Sequence, residues 1–129
     1  MYGIPAPQGS KRHVGNGVMI ESSKKVKPWR EAVKWAAVEA MGGKALRLDG
    51  PIYLGVVFVM PRPKKPKSAF PDRTPDLSKL IRSTEDALTD AGLWADDARV
   101  VSTMARKVYA TDTQLCGAEI TVRPIDGSI

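Results

Sequence analysis

Residues 75–101, PDLSKLIRSTEDALTDAGLWADDARVV, hold a helix, a tight turn and the start of a strand. Thr74 and Pro75 suit an N-cap and a first helical position, because the N–H that proline lacks is not needed there. Ala91-Gly92 ends the helix, since glycine tolerates the left-handed conformation that follows many helices. Helical spacing predicts one buried stripe, formed by Leu77, Leu80, Ile81, Thr84 and Leu88. The chain then returns to the core at Leu93-Trp94 and enters an apolar run from Ala98 to Val101.

The same stretch carries acids on two of its elements. Asp76 lies in the first turn of the helix, and Asp96 and Asp97 stand at the mouth of the strand. Carboxylates that meet from two elements would suit Mg²⁺, which needs hard oxygen ligands and keeps several waters. Each acid also has a structural interpretation, because Asp76 complements the helix dipole and Asp96-Asp97 could belong to a solvated turn. Spacing alone leaves both interpretations open.

The order of these residues resembles the signature of RusA-type Holliday-junction resolvases. That signature runs roughly P-D-L-D-N-L-x-K-x-x-x-D-A-L, then a short variable stretch, then D-D-x-x-V. Asp76 matches its first acid, Asp86 the acid before Ala-Leu, and Asp96 and Asp97 the final pair. The segment PAPQGSKRHV and the helix that contains Trp29-Arg30 also look like phage members, so the resemblance covers most of the chain.

The resemblance implies a small, dimeric, Mg²⁺-dependent endonuclease of phage or prophage type that resolves four-way DNA junctions by phosphodiester hydrolysis. Asp76 and Asp97 are the first candidates for metal ligands, Asp96 is the next, and Asp86 is a weaker candidate. Arg82 stands where the family pattern has a catalytic lysine. Arg82 could neutralise phosphate charge but could not shuttle a proton, because guanidinium stays protonated. Lys79 is the alternative cation.

Ser78 departs from the pattern, because the family has its second acid at this position. A hydroxyl is a poorer Mg²⁺ ligand than a carboxylate, and one negative charge is lost. Two other functions therefore compete with junction resolution. One is a non-catalytic DNA-junction-binding protein on the same scaffold, and the other is a Mg²⁺-dependent nuclease that acts on flaps or single strands.

Composition narrows the functional classes. The 129 residues include 20 Lys and Arg against 14 Asp and Glu, and the net charge of +6 favours a polyanionic partner. A single cysteine, Cys116, excludes an intramolecular disulfide and a cysteine-rich zinc site. The one histidine, His13, leaves little material for a Ser-His-Asp triad. The longest apolar run, Ile52–Met60, is too short to cross a bilayer, so a cytoplasmic protein without membrane contact is expected.

The remaining elements predict a single α+β domain over residues 1–129. A hairpin over residues 8–21 turns at Asn16-Gly17, and Pro28 opens a helix whose apolar stripe contains Trp29. Ile52–Met60 is apolar on both alternating faces, which predicts a strand covered on both sides. Strands at Val100–Tyr109 and residues 116–123 complete the order ββ-α-β-loop-α-ββ. This order indicates a small, mixed, RusA-like sheet with two main helices packed on it.

Residues 61–75, PRPKKPKSAFPDRTP, form a flexible basic loop directly before Asp76. Prolines remove ladder donors and like charges repel, so the loop should be mobile without a partner. The loop is either a solvated connector or a flap that DNA orders, and its position beside Asp76 favours the flap. The candidate DNA-binding residues, in the loop and elsewhere, are Lys11, Arg12, Lys64, Lys65, Lys67, Arg73 and Lys79. Lys11 and Arg12 could equally be a solvated strand edge.

A homodimer is expected, because a four-way junction has two-fold symmetry and needs two opposed cuts. The Trp29 stripe and the Leu77 to Leu88 stripe are expected to offer more apolar surface than a small sheet can cover.

Overall fold

The computed structural model describes residues 1–8 and 25–129 in full, and the backbone alone of residues 11–13 and 19–21. These described residues contain two helices and five strands, together with a short 3-10 helix at Asp97–Arg99. They are β1 (Lys11–His13), β2 (Met19–Glu21), α1 (Val26–Ala40), β3 (Ile52–Met60), α2 (Leu77–Asp90), β4 (Val100–Tyr109) and β5 (Gly117–Pro124). The predicted order of elements and the α+β class are confirmed.

The main sheet has three strands in the order β4-β3-β5. Strand β3 pairs parallel with β4 and antiparallel with β5, so the sheet is mixed, as the sequence predicted. Strands β1 and β2 pair antiparallel in a separate two-stranded sheet. The predicted hairpin is therefore present, and its Asn16-Gly17 tip lies outside the described residues.

The core lies between the sheet and the two helices. Alternate residues of β3 point into it, and they meet Trp29 and Val33 from α1 and Leu80 and Leu88 from α2. The Nε1 of Trp29 donates a buried hydrogen bond of 3.2 Å to the Oγ1 of Thr84, which joins the two helices. Most residues of both predicted stripes are thus buried in the core of a single molecule. The sheet face covers their central residues, and a dimer surface formed by the apolar residues that remain outside stays a prediction.

Both helix starts differ by two residues from the sequence prediction. Helix α2 begins at Leu77, and its N-cap is Asp76 rather than Thr74, because Asp76 still has extended backbone angles (φ −66°, ψ 137°). Helix α1 begins at Val26, so Pro28 is its third residue. The third residue is still in the first turn, where N–H groups have no partner within the helix, so proline remains acceptable. Gly92, with φ +78°, ends α2 as predicted.

Strand β3 is covered on one face along its whole length and on the other face only in part. Ile52, Leu54, Val56 and Phe58 are buried, whereas Tyr53, Gly55 and Val57 on the opposite face are half-buried. The prediction that both faces are covered is wrong for this part of the strand. Both α1 and α2 pack on the first face.

The turn between α2 and β4 is held firmly in place. Trp94 is 1% exposed, and its Nε1 donates a 2.7 Å hydrogen bond to the Oγ1 of Thr89. A parallel bridge joins Leu48 to Trp94, and the N–H of Arg47 donates to the carbonyl of Gly92 at 2.9 Å. These contacts fix the 3-10 helix that carries Asp97 beside α2. Neither of the described α-helices is long and apolar enough to cross a membrane.

Candidate active site

The paired acids before β4 have different surroundings. The Oδ1 of Asp96 accepts a 2.9 Å hydrogen bond from the N–H of Ala98, and Asp96 thereby caps the 3-10 helix. Its Oδ2 lies 3.7 Å from the Nη1 of Arg99, whose Nε lies 2.8 Å from the Oδ1 of Asp49. Asp96 therefore has a structural role already, whereas Asp97 is exposed in the first turn of the same short helix.

Asp97 faces the middle of α2. Burial raises the pKa of Glu85, and the negative charges of Asp97 and Asp86 raise it further. Burial also raises the pKa of Asp86, where the Arg30 guanidinium acts in the opposite direction and the Asp97 charge adds to the rise. The three carboxylates thus repel one another across the gap between α2 and the 3-10 helix. A nearby divalent cation would relieve this repulsion.

Glu85 is a candidate that the sequence analysis missed. Ser78, Arg82 and Glu85 stand at i, i+4 and i+7, so they share one face of α2. The charge of Asp97 raises the pKa of both Glu85 and its neighbour Asp86, so this part of α2 lies near the 3-10 helix. Helical spacing from Ser78 and Arg82 was a signal that could have found Glu85. The family signature drew attention to Asp86 instead.

Asp76 stands at the beginning of α2, and its side chain does not cap the helix. The Nζ of Lys107 reaches this end of α2 from β4 and donates hydrogen bonds of 2.9 Å each to the carbonyls of Arg73 and Pro75. Lys107 therefore holds the basic loop and the start of α2 against the sheet. No pattern in the sequence singled out Lys107 from the other basic residues. Asp76 and Glu85 are nine positions apart, which is about 13 Å along the helix axis.

The predicted DNA-binding cations are exposed wherever the structure describes their side chains. Four of them lie on the loop: Lys64, Lys65, Lys67 and Arg73. Lys79 and Arg82 are exposed on α2, the helix that also carries the acids. The side chains of Lys11 and Arg12 lie outside the described residues. Residues 61–75 contain no helix or strand, and their mobility stays a prediction.

The donor chemistry of the site fits Mg²⁺ if the substrate completes the ligand shell. Within residues 1–8 and 25–129, no three Asp, Glu, His or Cys side chains are arranged so that they could hold a metal ion together. Mg²⁺ is often bound by only one or two carboxylates, with waters and substrate phosphates as its other ligands. Asp97 together with an acid of α2 has this chemistry, so the residues fit a site completed by a DNA phosphate.

Mutually repelling acids beside exposed cations fit the chemistry that a nuclease needs. The acids would serve metal-assisted hydrolysis and the cations would bind the DNA backbone. The family model described as Endodeoxyribonuclease RusA matches residues 3–123 of the chain. The chain belongs to this family, whose members are endodeoxyribonucleases that act on branched DNA and resolve Holliday junctions. Among curated proteins, none gives a significant match.

Proposed function

We propose that this protein is a Mg²⁺-dependent endonuclease that cuts four-way DNA junctions. The observation that carries the proposal is the position of Asp97, whose charge acts on the acidic face of α2. A purely structural turn acid would have no reason to face other carboxylates unpaired, because this arrangement costs free energy until a cation arrives.

Each residue has a defined part in the proposed reaction. Asp97 with Glu85 or Asp86 of α2 would hold Mg²⁺, and Asp96 is a weaker candidate because Ala98 and Arg99 already bind its oxygens. Asp76 lies about 13 Å from Glu85 along the helix axis, so as a ligand it would hold a separate ion. When bound, Mg²⁺ would lower the pKa of a water and stabilise the charge that builds on the phosphate. Arg82 and Lys79 orient the phosphate and neutralise part of its charge.

Ser78 weakens the site without removing it. A serine on the face of α2 that carries Glu85 can hold a water in the place of a direct carboxylate ligand. The alternative, a junction-binding protein without cleavage, rests on this substitution alone. Both functions share the exposed cations, so DNA binding does not distinguish them and cleavage does.

The cellular context follows from the substrate. Four-way junctions arise during DNA recombination and repair and during phage DNA processing, so the protein acts in the cytoplasm of a bacterial or phage-infected host cell. Two opposed cuts require two active sites, which a homodimer provides.

The test is cleavage of an immobile synthetic four-way junction with and without Mg²⁺. Asp97→Asn and Asp76→Asn keep side-chain size and remove one charge, so each should bind the junction as before. Their cleavage should fall about 100-fold or more, the usual cost of losing one electrostatic group at a reacting phosphate. The matched control is Asp112→Asn, which removes an exposed acid from the turn between β4 and β5 and should leave cleavage unchanged.

Three outcomes would change the conclusion. Equal cleavage by the parent and by both Asn variants would make the acids structural. Tight junction binding by the parent without any cleavage in Mg²⁺ would favour the binding protein. Faster cleavage of flaps or single strands than of the junction would favour the general nuclease.

A further inference from the structure

Lys107 is a half-buried cation whose ammonium group binds the backbone just before helix α2. In the parallel pairing of β3 with β4, Lys107 stands beside Phe58, which is fully buried beneath the helices. Paired residues of neighbouring strands point to the same face of a sheet, so the side chain of Lys107 extends toward the helices. Its Nζ donates to the carbonyl oxygens of Arg73 and Pro75 at 2.9 Å each. Lys107 thus ties the end of β4 to the two residues that flank Thr74.

One of these two carbonyls belongs to the peptide group that joins Pro75 to Asp76. Asp76 is the N-cap of α2, and its side chain makes no capping hydrogen bond, although aspartate at this position commonly does so. Asp76 is also exposed, so packing does not hold its carboxylate. The orientation of the carboxylate therefore depends on the backbone to which it is attached, and Lys107 fixes that backbone from the sheet.

The body of α2 has anchors of its own. The Oγ of Ser83 donates a buried hydrogen bond of 2.7 Å to the carbonyl of Ala6. The N–H of Gln8 donates to the carbonyl of Lys79 at 3.0 Å, and Leu80 is fully buried in the core. These contacts do not involve the end of β4. The helix should therefore keep its place if the lysine is replaced.

The short segment before α2 is bound less closely. Arg73 and Thr74 are exposed, and residues 73–75 line a cleft of about 580 Å³ together with residues 4–7 and Lys107. Open space rather than packed side chains therefore borders this part of the segment, so its position depends strongly on the two hydrogen bonds from the lysine. Loss of these bonds should release the segment locally, without unfolding the protein.

We propose that Lys107 is a positioning residue for DNA cleavage. By binding the carbonyls of Arg73 and Pro75, it holds the Asp76 carboxylate in the orientation that binds a divalent cation. A lysine suits this task because its ammonium group carries three donors on a flexible stem. Lys107 itself stays on the backbone and touches neither the cation nor the DNA. The inference rests on the proposed function, in which Asp76 is a metal ligand.

Two replacements of Lys107 separate its donors from its stem. Lys107→Met keeps most of the apolar stem and removes all three donors, whereas Lys107→Arg keeps a cation that can donate to two carbonyls. The methionine variant should lower kcat for junction cleavage by about 10- to 100-fold, because small displacements of a reacting group have costs of this order. The arginine variant should recover most of the loss. Lys44→Met removes an exposed cation between α1 and β3 and should cut as the parent does.

The salt dependence of junction binding without metal tests whether Lys107 instead contacts DNA. Lys107→Met should give the same slope of log affinity against log salt as the parent, because no phosphate contact is lost. A slope that flattens by about 0.9 would make Lys107 a phosphate ligand and overturn the positioning role.

Metal binding at Asp76 can be followed without any cleavage. Mn²⁺ accepts the same oxygen ligands as Mg²⁺, and it should broaden the NMR amide signal of Asp76 in the parent. Lys107→Met should need about tenfold more Mn²⁺ for equal broadening, the usual order of cost when a group that orients a ligand is removed. The signal of Asp97, which lies on the 3-10 helix, is the internal control and should respond as in the parent. Asp76→Asn should abolish the response at position 76.

A double-mutant cycle tests whether Lys107 acts through Asp76. When Asp76→Asn is already present, Lys107→Met should lower kcat by less than about twofold, because the group that the lysine positions is already disabled. Single-turnover cleavage of the four-way junction measures all four proteins of the cycle. The full loss in this background would mean that Lys107 acts on another part of the site.

The remaining outcomes also decide the matter. Circular dichroism checks that each variant is folded, and Lys107→Gln, whose neutral side chain is one bond shorter, replaces the methionine variant if that one does not fold. Parental kcat and parental Mn²⁺ broadening in a folded variant would overturn the proposal, and so would a failure of arginine to recover activity. Normal cleavage by a parent that shows no broadening at Asp76 would do the same. A parent that cuts no junction would instead contradict the proposed function, and the Mn²⁺ titration would still decide the role of Lys107.

Discussion

Asp97 lies on the 3-10 helix, and its negative charge raises the pKa of two acids on α2, Glu85 and Asp86. Asp97→Asn should lower the pKa of both Glu85 and Asp86, because its negative charge helps to raise each of them. Both pKa values should remain above their ordinary values, since burial is the larger cause of the rise. Carbon-13 NMR titration of the side-chain carboxyls measures the change, and Asp112→Asn is the control. Unchanged titration of both carboxyls would place Asp97 away from α2.

The same charges should make the unfolding free energy depend on pH. The pKa of Glu85 is higher in the folded protein than its ordinary value of 4.5, so the folded state holds this proton more tightly than the unfolded chain does. The contribution of Glu85 to stability is therefore fullest below pH 4.5 and falls as the pH rises through the folded pKa. The loss is well under about 1 kcal/mol, because water screens a partly exposed carboxyl.

Ser78 tests whether the site lacks one ligand. Ser78→Asp should lower the Mg²⁺ concentration needed for half-maximal cleavage, because a carboxylate binds this ion better than a hydroxyl does. Ser78→Asn is the matched control, since it has similar size and no charge, and it should not improve the metal dependence. A higher Mg²⁺ requirement in the aspartate variant would mean that the serine is part of a different site.

Residue patterns singled out most of the acids near α2 and the 3-10 helix, but not the contacts that each acid makes. Asp76 and Asp97 are candidates because each lies at the end of a secondary-structure element. Asp96 lies next to Asp97 and is an equally good candidate in the sequence, but in the structure its side chain caps the 3-10 helix. Glu85 was missed because its importance depends on which face of α2 meets the 3-10 helix. The position of the 3-10 helix beside α2 depends on the bridge between Trp94 and Leu48, and Leu48 lies far from Glu85 in the chain.

At the scale of elements, one buried hydrogen bond joins the two helices behind the site. Thr84→Val keeps the shape of the side chain and leaves the indole N–H of Trp29 without its acceptor. The loss should lower the unfolding free energy by about 1–3 kcal/mol, the cost of an unsatisfied buried donor. Urea denaturation measures this difference, with Thr103→Val on the exposed part of β4 as the control. Equal midpoints for Thr84→Val and the parent would show that the bond contributes nothing.

The basic loop should supply a large share of the salt-sensitive DNA binding. Replacing Lys64, Lys65 and Lys67 with glutamine removes three cations that stand exposed or nearly so directly before Asp76. The slope of log affinity against log salt should flatten by up to about 2.7 if each lysine contacts a phosphate of duplex DNA. Lys44→Gln, on the connection between α1 and β3, is the control and should not change the slope. A slope that the triple replacement leaves unaltered would make the loop a connector.

The helices and strands could be predicted from the sequence, but not which of their faces would be covered by other parts of the chain. Periodicity located both helices and the three main strands, and Gly92 marked the end of α2 correctly. Strand β3 was expected to be covered on both faces because it is apolar on both. Tyr53, Gly55 and Val57 on the second face are only half-buried, because both helices pack on the first face. The sequence of an apolar strand does not reveal whether another element of the same chain covers each of its faces.

At the scale of the whole molecule, the proposed dimer predicts how many strands are cut in one encounter. Copies of the parent and of Asp97→Asn with different tags can be mixed, and heterodimers with one intact site can be purified through both tags. On a supercoiled plasmid with an extruded cruciform, the parent dimer should make two opposed cuts before release and give linear DNA. The heterodimer should cut one strand and give nicked circles, because its second site lacks a metal ligand. Dimers of Asp97→Asn alone, as the control, should leave the plasmid supercoiled.

Linear product from the heterodimer at the parental rate would show that each copy cuts independently. The two-fold match between dimer and junction would then have no role in cleavage.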